Sequence, residues 1–480
     1  MGISVTIGNI VFLIMQFYIL FRKEGARKKF LSLFMFTVFC EIFYNLGYLF
    51  EIGDYEINLP YISIMITFIW GLLLSAKKII TIRGKYLLLF YIFLILGIVW
   101  RLASLSEIIG INHYVSVDSL ATGSSMVKLE VSGYSFLVLA RTILCSFSLS
   151  CFASCFNRDD FARIIRKYLP IFRFMIIFAV IEFFSNNFVD SNLIRTYVIK
   201  IFGACSTAYL TPSFRGMLYS ICLTCWEPSL ANYALFFCSL AILWNMNYSK
   251  KKVDKIYILV ANLMMLLSMS LTGVIFVIAI LALMLFRKNV RDKAVKVMFI
   301  AIPTAVIAVT AILISSSGIQ DYIVNRLVIT VQSIQYMIKN PQSTSIFGVF
   351  GGASETIRFY SMFNNLYVWT KSPIIGIGIG TASCCSGWIS ALANVGIVGI
   401  YLLLKIYKSV GKKLSLTDYR SAALLIGALF TIQGGLTDIF CNTFYIVLII
   451  FASGIISNYR VTETKTKTAP VKIKTAIGTN

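Results

Sequence analysis

Hydrophobic positions in this chain come in long unbroken runs, not in the alternating or three-and-four-spaced patterns of half-buried elements. Runs of about 17–21 residues are long enough to cross a bilayer as helices. They stand near residues 4–21, 30–50, 59–76, 86–103, 133–155, 168–188, 229–246, 256–268, 273–286, 295–314, 388–404, 421–433 and 440–457. Those at 256–268, 273–286 and 421–433 fall short of the roughly 20 residues of a full crossing, which leaves them tilted, longer than drawn, or re-entrant. The pattern predicts an all-α polytopic membrane helical bundle of about 12–13 spans over residues 1–457. A basic tail follows at 458–480. No cation precedes the first run, and Arg22, Lys23, Arg27, Lys28 and Lys29 follow it. It is therefore expected to remain as a span.

Composition agrees. The chain is 58% hydrophobic, with a mean hydropathy of +0.84, outside the range of ordinary soluble domains. A net charge of +23 would suit a nucleic-acid binder, but the cations are distributed otherwise. Of 43 Lys and Arg, thirty-two fall in seven short loops (22–29, 77–85, 156–167, 247–255, 287–296, 405–420 and 458–480). Eight fall in the intervening loops, and Arg101, Arg141 and Arg173 lie inside runs. This asymmetry is the orientation signal of a plasma-membrane protein, with the N-terminus outside and the C-terminus inside. The tail TETKTKTAPVKIKTAIGTN is suited to an anionic inner leaflet. Eleven scattered cysteines and a single histidine, His113, predict no metal site. Cys222 and Cys225 have the spacing of half a zinc site but no second pair.

Three expected outer segments exceed ordinary connections: 104–132, 189–228 and 315–387. Long loops are usually functional or disordered, and these mix aromatic, apolar and polar residues, so folded, partly interfacial pieces are expected; any chemistry the protein performs is then expected at the outer face. The stretch from Arg358 to Leu404 is the most distinctive. It holds Asn364 and Asn365, a Lys371-Ser372-Pro373 turn, three alternating glycines at 376, 378 and 380, and then an apolar helix marked by Asn394, Gly396 and Gly399. Such glycines allow close approach to a ligand or to a neighbouring helix, and Asn394 stands early in a span, where a polar side chain is usually satisfied by the protein and often functional.

Other candidates are charged. Glu227 precedes a proline-initiated helix, as a helix cap or as a general base. Arg215 and Arg358 are two of four arginines in the outer segments. They read as a bidentate clamp on a lipid diphosphate or as contacts to lipid phosphates. Arg141 sits about 12 Å inside its run, at a depth where Glu41 or Glu182 is a suitable partner. It reads equally as a structural ion pair or as a diphosphate contact. Arg101 and Arg173 lie near run ends, where snorkelling suffices. Ser268, Ser270 and Thr272 break an apolar run, as a cavity lining or a tight hairpin.

Three patches resemble the bacterial O-antigen and exopolysaccharide repeat-unit polymerases (Wzy-type), within the wider polymerase and ligase family. The first is Arg215 followed by Glu227-Pro228-Ser229. The second is the break from Ser268 to Gly273. The third is Arg358, Pro373-Ile374-Ile375-Gly376-Ile377-Gly378 and the Asn394-x-Gly396-x-x-Gly399 helix. The resemblance implies a GT-C-like membrane glycosyltransferase with a large outer loop. It would move an oligosaccharide from undecaprenyl diphosphate to a sugar hydroxyl of another lipid-linked repeat unit, without nucleotide sugar, metal or other cofactor. Glu227, Arg215 and Arg358 would be catalytic, and Arg141, Asn364, Asn365 and Asn394 would bind substrate. Partners would be the lipid-linked oligosaccharide, the bilayer and a chain-length regulator, with no nucleic acid. The ligase branch usually carries a histidine in the large outer loop, and 315–387 has none. Ligase and lipid-linked oligosaccharide flippase are the alternatives. Transporters often show internal repeats, and none is found.

Overall fold

The computed structural model describes residues 6–43, 50–52, 55–82, 84–102, 130–202, 214–215, 218–225, 228–247, 252–268, 270–285, parts of 325–339, 354–382, 386–432 and 443–457. The architecture is all-α. In chain order the elements are α1 (Ile7–Phe21), α2 (Ala26–Phe43), the hairpin β1 (Phe50–Ile52) and β2 (Tyr55–Ile57), α3 (Leu59–Ala76), α4 (Lys85–Arg101), α5 (Gly133–Cys155), α6 (Arg158–Phe188) and α7 (Leu193–Phe202). There follow the hairpin β3 (Phe214–Arg215) and β4 (Leu218–Tyr219), α8 (Pro228–Asn245), α9 (Lys252–Leu267), α10 (Leu271–Leu285), α11 (Ser354–Lys371), α12 (Gly387–Leu414), α13 (Tyr419–Ile432) and α14 (Phe444–Ser457). The run expected at 295–314 and the tail at 458–480 lie outside the described residues.

Helix boundaries follow local chemistry. Thr6 caps α1 by accepting from the Asn9 amide at 3.2 Å. Asn157 caps α6, accepting from Asp159 and Asp160 at 3.0 and 3.1 Å, and those two carboxylates complement the helix dipole. Lys412 and Lys413 close the last turn of α12, and Ser415 beyond it is left-handed (φ 51°).

Helices α2, α8 and α14 form the centre. From Phe444 to Ile456 every residue of α14 is buried. Trp244 packs on Phe161 and Phe451 with ring centroids 5.5 and 5.6 Å apart. Gly454 makes room for it: a Cβ there would meet the Trp244 Nε1 at 2.4 Å. Toward the outside the pattern inverts. Leu88, Leu96, Val99 and Trp100 of α4 and Ile7, Ile14 and Phe21 of α1 are mostly exposed. Contiguous apolar exposure of this extent would be a liability in water and is the ordinary lipid-facing surface of a membrane helix. Four described helices, α3, α5, α6 and α12, are long and apolar enough to cross a bilayer. The protein is a helical membrane protein.

Four of the basic loops, 22–29, 77–85, 156–167 and 405–420, gather at one end. Lys413 donates to the Thr81 carbonyl (2.8 Å) and the Ser154 hydroxyl (2.7 Å). Arg27 donates to the Ile79 carbonyl at 2.6 Å, and Lys167 lies 3.8 Å from Glu24. We call this the basic end.

Candidate functional site

At the end away from the basic loops, two irregular segments are built into the bundle. The first, residues 372–382, follows α11 and inserts into a break in α12. Gly396, nine residues or about 14 Å into that helix, adopts φ 61° and ψ −169°, a region open essentially to glycine alone. The inserted segment pairs with four backbone groups at the break. Ile377 and Gly378 donate to the carbonyls of Ala393 (3.0 Å) and Asn394 (2.9 Å). In return, Ile397 and Val398 donate to Pro373 (3.0 Å) and Ile374 (3.1 Å). The two backbones touch, so a Cβ on Gly376 would lie 2.5 Å from Asn394 carbonyl atoms. One on Gly396 would lie 2.4 Å from the Ile374 oxygen.

Side chains lock this crossing. The Arg101 guanidinium donates to the Ser372 hydroxyl (2.9 Å) and the Gly376 carbonyl (2.8 Å). Arg101 is only 4% exposed; it does not snorkel to the interface as its place at a run end suggests. Asn394 donates to the Ala382 (2.7 Å) and Ser390 (2.8 Å) carbonyls. Its oxygen accepts from the Thr381 and Ala382 amides at 3.0 and 2.9 Å. The Asn394 side chain is thus satisfied within the protein.

The second segment, 218–225, leads toward α8. Both carboxylate oxygens of Glu182 are used: Oε1 accepts from Cys222 (3.0 Å) and Oε2 from Leu223 (2.7 Å). Leu223 itself is left-handed (φ 54°), an unusual conformation for a branched side chain, and the Glu182 bond helps hold it. Arg195, 1% exposed, donates to the carbonyls of Leu223 (3.3 Å) and Cys225 (2.7 Å). Asn187 exchanges bonds with both backbone groups of Tyr219. Cys222 and Cys225 are buried within this turn.

The expected site residues distribute as follows. Arg215 lies in β3 and Arg358 in the first turns of α11, while their side chains lie outside the described residues. Glu227 is also outside, although α8 does begin at Pro228. Asn364 and Asn365 are buried in α11, and Asn365 donates to the Ser361 carbonyl at 2.8 Å. Arg141 stacks over Tyr61, 4.7 Å from its centroid, and lies 4.0 Å from Glu41. Glu41 also accepts from the Thr443 amide (2.8 Å) and hydroxyl (2.7 Å), which anchors the start of α14. Arg173 pairs with Asp254. Ser268 accepts from Asn232 at 2.8 Å, and a Cβ on Gly273 would lie 2.0 Å from the Met265 oxygen. That break is a tight buried hairpin. Sequence reasoning missed the bracing by Arg101, Glu182 and Arg195. Their only signal was charge beside apolar sequence, where intramembrane charge is costly and usually paired.

No family model, curated protein or solved structure matches the chain.

Proposed function

We propose that the protein is a multi-pass glycosyltransferase of the bacterial plasma membrane that polymerises lipid-linked oligosaccharide repeat units. Its basic end faces the cytoplasm and its opposite end meets the donor. The donor is an oligosaccharide on undecaprenyl diphosphate and the acceptor is a sugar hydroxyl of another lipid-linked unit. The observation that carries this reading is the bracing of the segment that follows the Arg215 hairpin and of the segment at the far end of the helix that bears Arg358. Buried Arg195 and Glu182, with half-buried Asn187, hold 218–225, which continues the hairpin bearing Arg215. Arg101 and the α12 crossing hold 372–380, directly after the helix bearing Arg358. Catalysis of diphosphate departure needs donors held in place before charge develops, and a braced backbone near the element of each arginine favours that.

In the reaction the acceptor oxygen bonds to the anomeric carbon of the donor while the bond from that carbon to the diphosphate oxygen breaks. The electron pair leaves with the diphosphate, which Arg215 and Arg358 grip. Glu227 takes the proton of the attacking hydroxyl. Arg141 and Asn364 contact the donor. Asn365 contacts it as well, and Asn394 ties residues 381 and 382 to α12. A chain-length regulator would act on this complex from outside.

Deletion in the native host tests the class. Surface glycans reduced to single repeat units support a polymerase. Repeat units retained on the inner leaflet would mean a flippase, and long unattached polymer a ligase. For the clamp, Arg215→Ala or Arg358→Ala should cut turnover by roughly ten- to more than a hundredfold, from about 1.5–3 kcal/mol per charged hydrogen bond. Lysine should rescue poorly, since it keeps the charge and loses the planar fork. Near-normal turnover of purified protein with lysine at both positions removes the clamp.

A further inference from the structure

A cavity of about 1200 Å³ lies between α12 and α13. Two ties set its length. Near the basic end Tyr419 donates to the Tyr407 carbonyl at 3.0 Å and its ring fills the space a Cβ on Gly411 would need. At the other end Ser386 donates to the Thr431 carbonyl at 3.0 Å. From Ser386 to Tyr407 a straight helix would run about 32 Å, while Tyr419 to Thr431 covers about 18 Å. Both ties form only because α12 breaks at Gly396. Its first segment turns across the top of α13 and brings Trp388 over Gly427. The result is an open-sided groove under a roof, with Leu404, Ile426, Phe430 and Ile449 among its walls. Leu424, 75% exposed, stands at its mouth.

The two ends of the groove differ in charge. Lys408, Lys412 and Arg420 line the basic end with one carboxylate, Asp418, and the opposite end carries Trp388, Phe430 and Thr431. We infer that the groove seats an anionic phospholipid from the leaflet at the basic end. Its phosphate lies against Lys408, Lys412 and Arg420, and an acyl chain runs toward Trp388. Three features agree. The length of about 18 Å suits one leaflet of a hydrocarbon core about 30 Å thick. Apolar walls open to the side admit a chain from the bilayer. A guanidinium and two ammonium groups at the rim match a phosphate, in the leaflet that basic loops select for anionic lipid. This inference needs the membrane character of the protein and is independent of the polymerase reading.

Native mass spectrometry of the purified full-length protein, offered dioleoyl phosphatidylglycerol or dioleoyl phosphatidylcholine, tests it. Phosphatidylglycerol should be retained roughly tenfold more strongly, the scale of one to two effective cation contacts. The triple variant Lys408→Ala, Lys412→Ala, Arg420→Ala should lose that preference, and the exchange Lys408→Arg, Lys412→Arg, Arg420→Lys should keep it. Filling the groove with Ala423→Phe should lower retention of both lipids. Equal retention of the two lipids by the native protein overturns the inference, as does a preference that survives the alanine variant. Equal retention of dihexanoyl and dioleoyl phosphatidylglycerol also overturns it, because the groove would then play no part. This comparison stands even where a variant does not fold. If Ala423→Phe only converts a dimer to a monomer, the groove belongs to a second copy and the lipid is rejected.

Discussion

The two irregular segments at the end opposite the basic loops are held by different physics. Residues 372–382 interlock with a broken helix, backbone against backbone, and the geometry depends on glycines at 376 and 396 that leave no room for a side chain. Residues 218–225 contain no glycine and are held in another way. They are suspended from side chains, two oxygens of Glu182 and the guanidinium of Arg195, that reach in to the main chain. The first is a steric joint and the second an electrostatic one. A steric joint fails abruptly with one added carbon, whereas an electrostatic joint weakens in proportion to the bonds removed.

The largest expected effect is therefore at the steric joint. Gly396→Ala or Gly376→Ala must place a Cβ about 2.5 Å from backbone atoms at a positive φ. Either should destabilise by more than about 4 kcal/mol, beyond the usual range for point substitutions, read as lost yield and a collapsed thermal transition in detergent. Gly97→Ala is the control, since nothing lies within 4 Å of its Cβ; stability should be unchanged or rise by up to about 1 kcal/mol. If the two classes behave alike, the interlock is not limiting.

Next comes Arg101→Ala, which removes two charge-assisted bonds and should cost about 3 kcal/mol, at the upper end for bonds to a charged group. Hydrogen exchange should quicken selectively at 376–378, and uniform protection there would reject the role of Arg101 as a pin. Smaller again is Glu182→Gln, which keeps one acceptor and turns an amide donor toward a backbone N–H. About 1.5–2 kcal/mol is expected, with faster exchange at the Cys222 and Leu223 amides. Unchanged exchange at both would show that the carboxylate does not suspend the turn.

Much of the frame is legible in hydropathy, because lipid-facing and core-facing helices both demand long apolar runs. The start of α8 at Pro228 and the turn at Ser372-Pro373 follow from local rules for proline. The partners of the buried charges do not. Arg101 meets Gly376 across 275 positions, and no periodicity announces a contact at that distance. Glu41 and Glu182 lie at similar depth, so either suits Arg141 by spacing. Folding decides, because Glu182 is spent on Cys222 and Leu223 while Glu41 faces Arg141. The Gly396 break was equally hidden: a glycine within a helical run marks a small-residue contact as readily as an interruption.

That break has a consequence for biosynthesis. A segment covering 387–414 delivered alone into lipid has every reason to close its own ladder, with Ile397 bonding to Ala393 and Val398 to Asn394, because unpaired backbone groups cost several kcal/mol each in hydrocarbon. The finished protein instead lends these four groups to a stretch synthesised some twenty residues earlier. The newborn span is therefore expected to form as a continuous helix and to open only as the bundle assembles, when residues 373–378 supply four bonds across the break. A synthetic 387–414 peptide in bilayers should show unbroken helical carbon shifts through Gly396 by solid-state NMR; a break already present in the peptide would mean that the chain enters the membrane pre-cut.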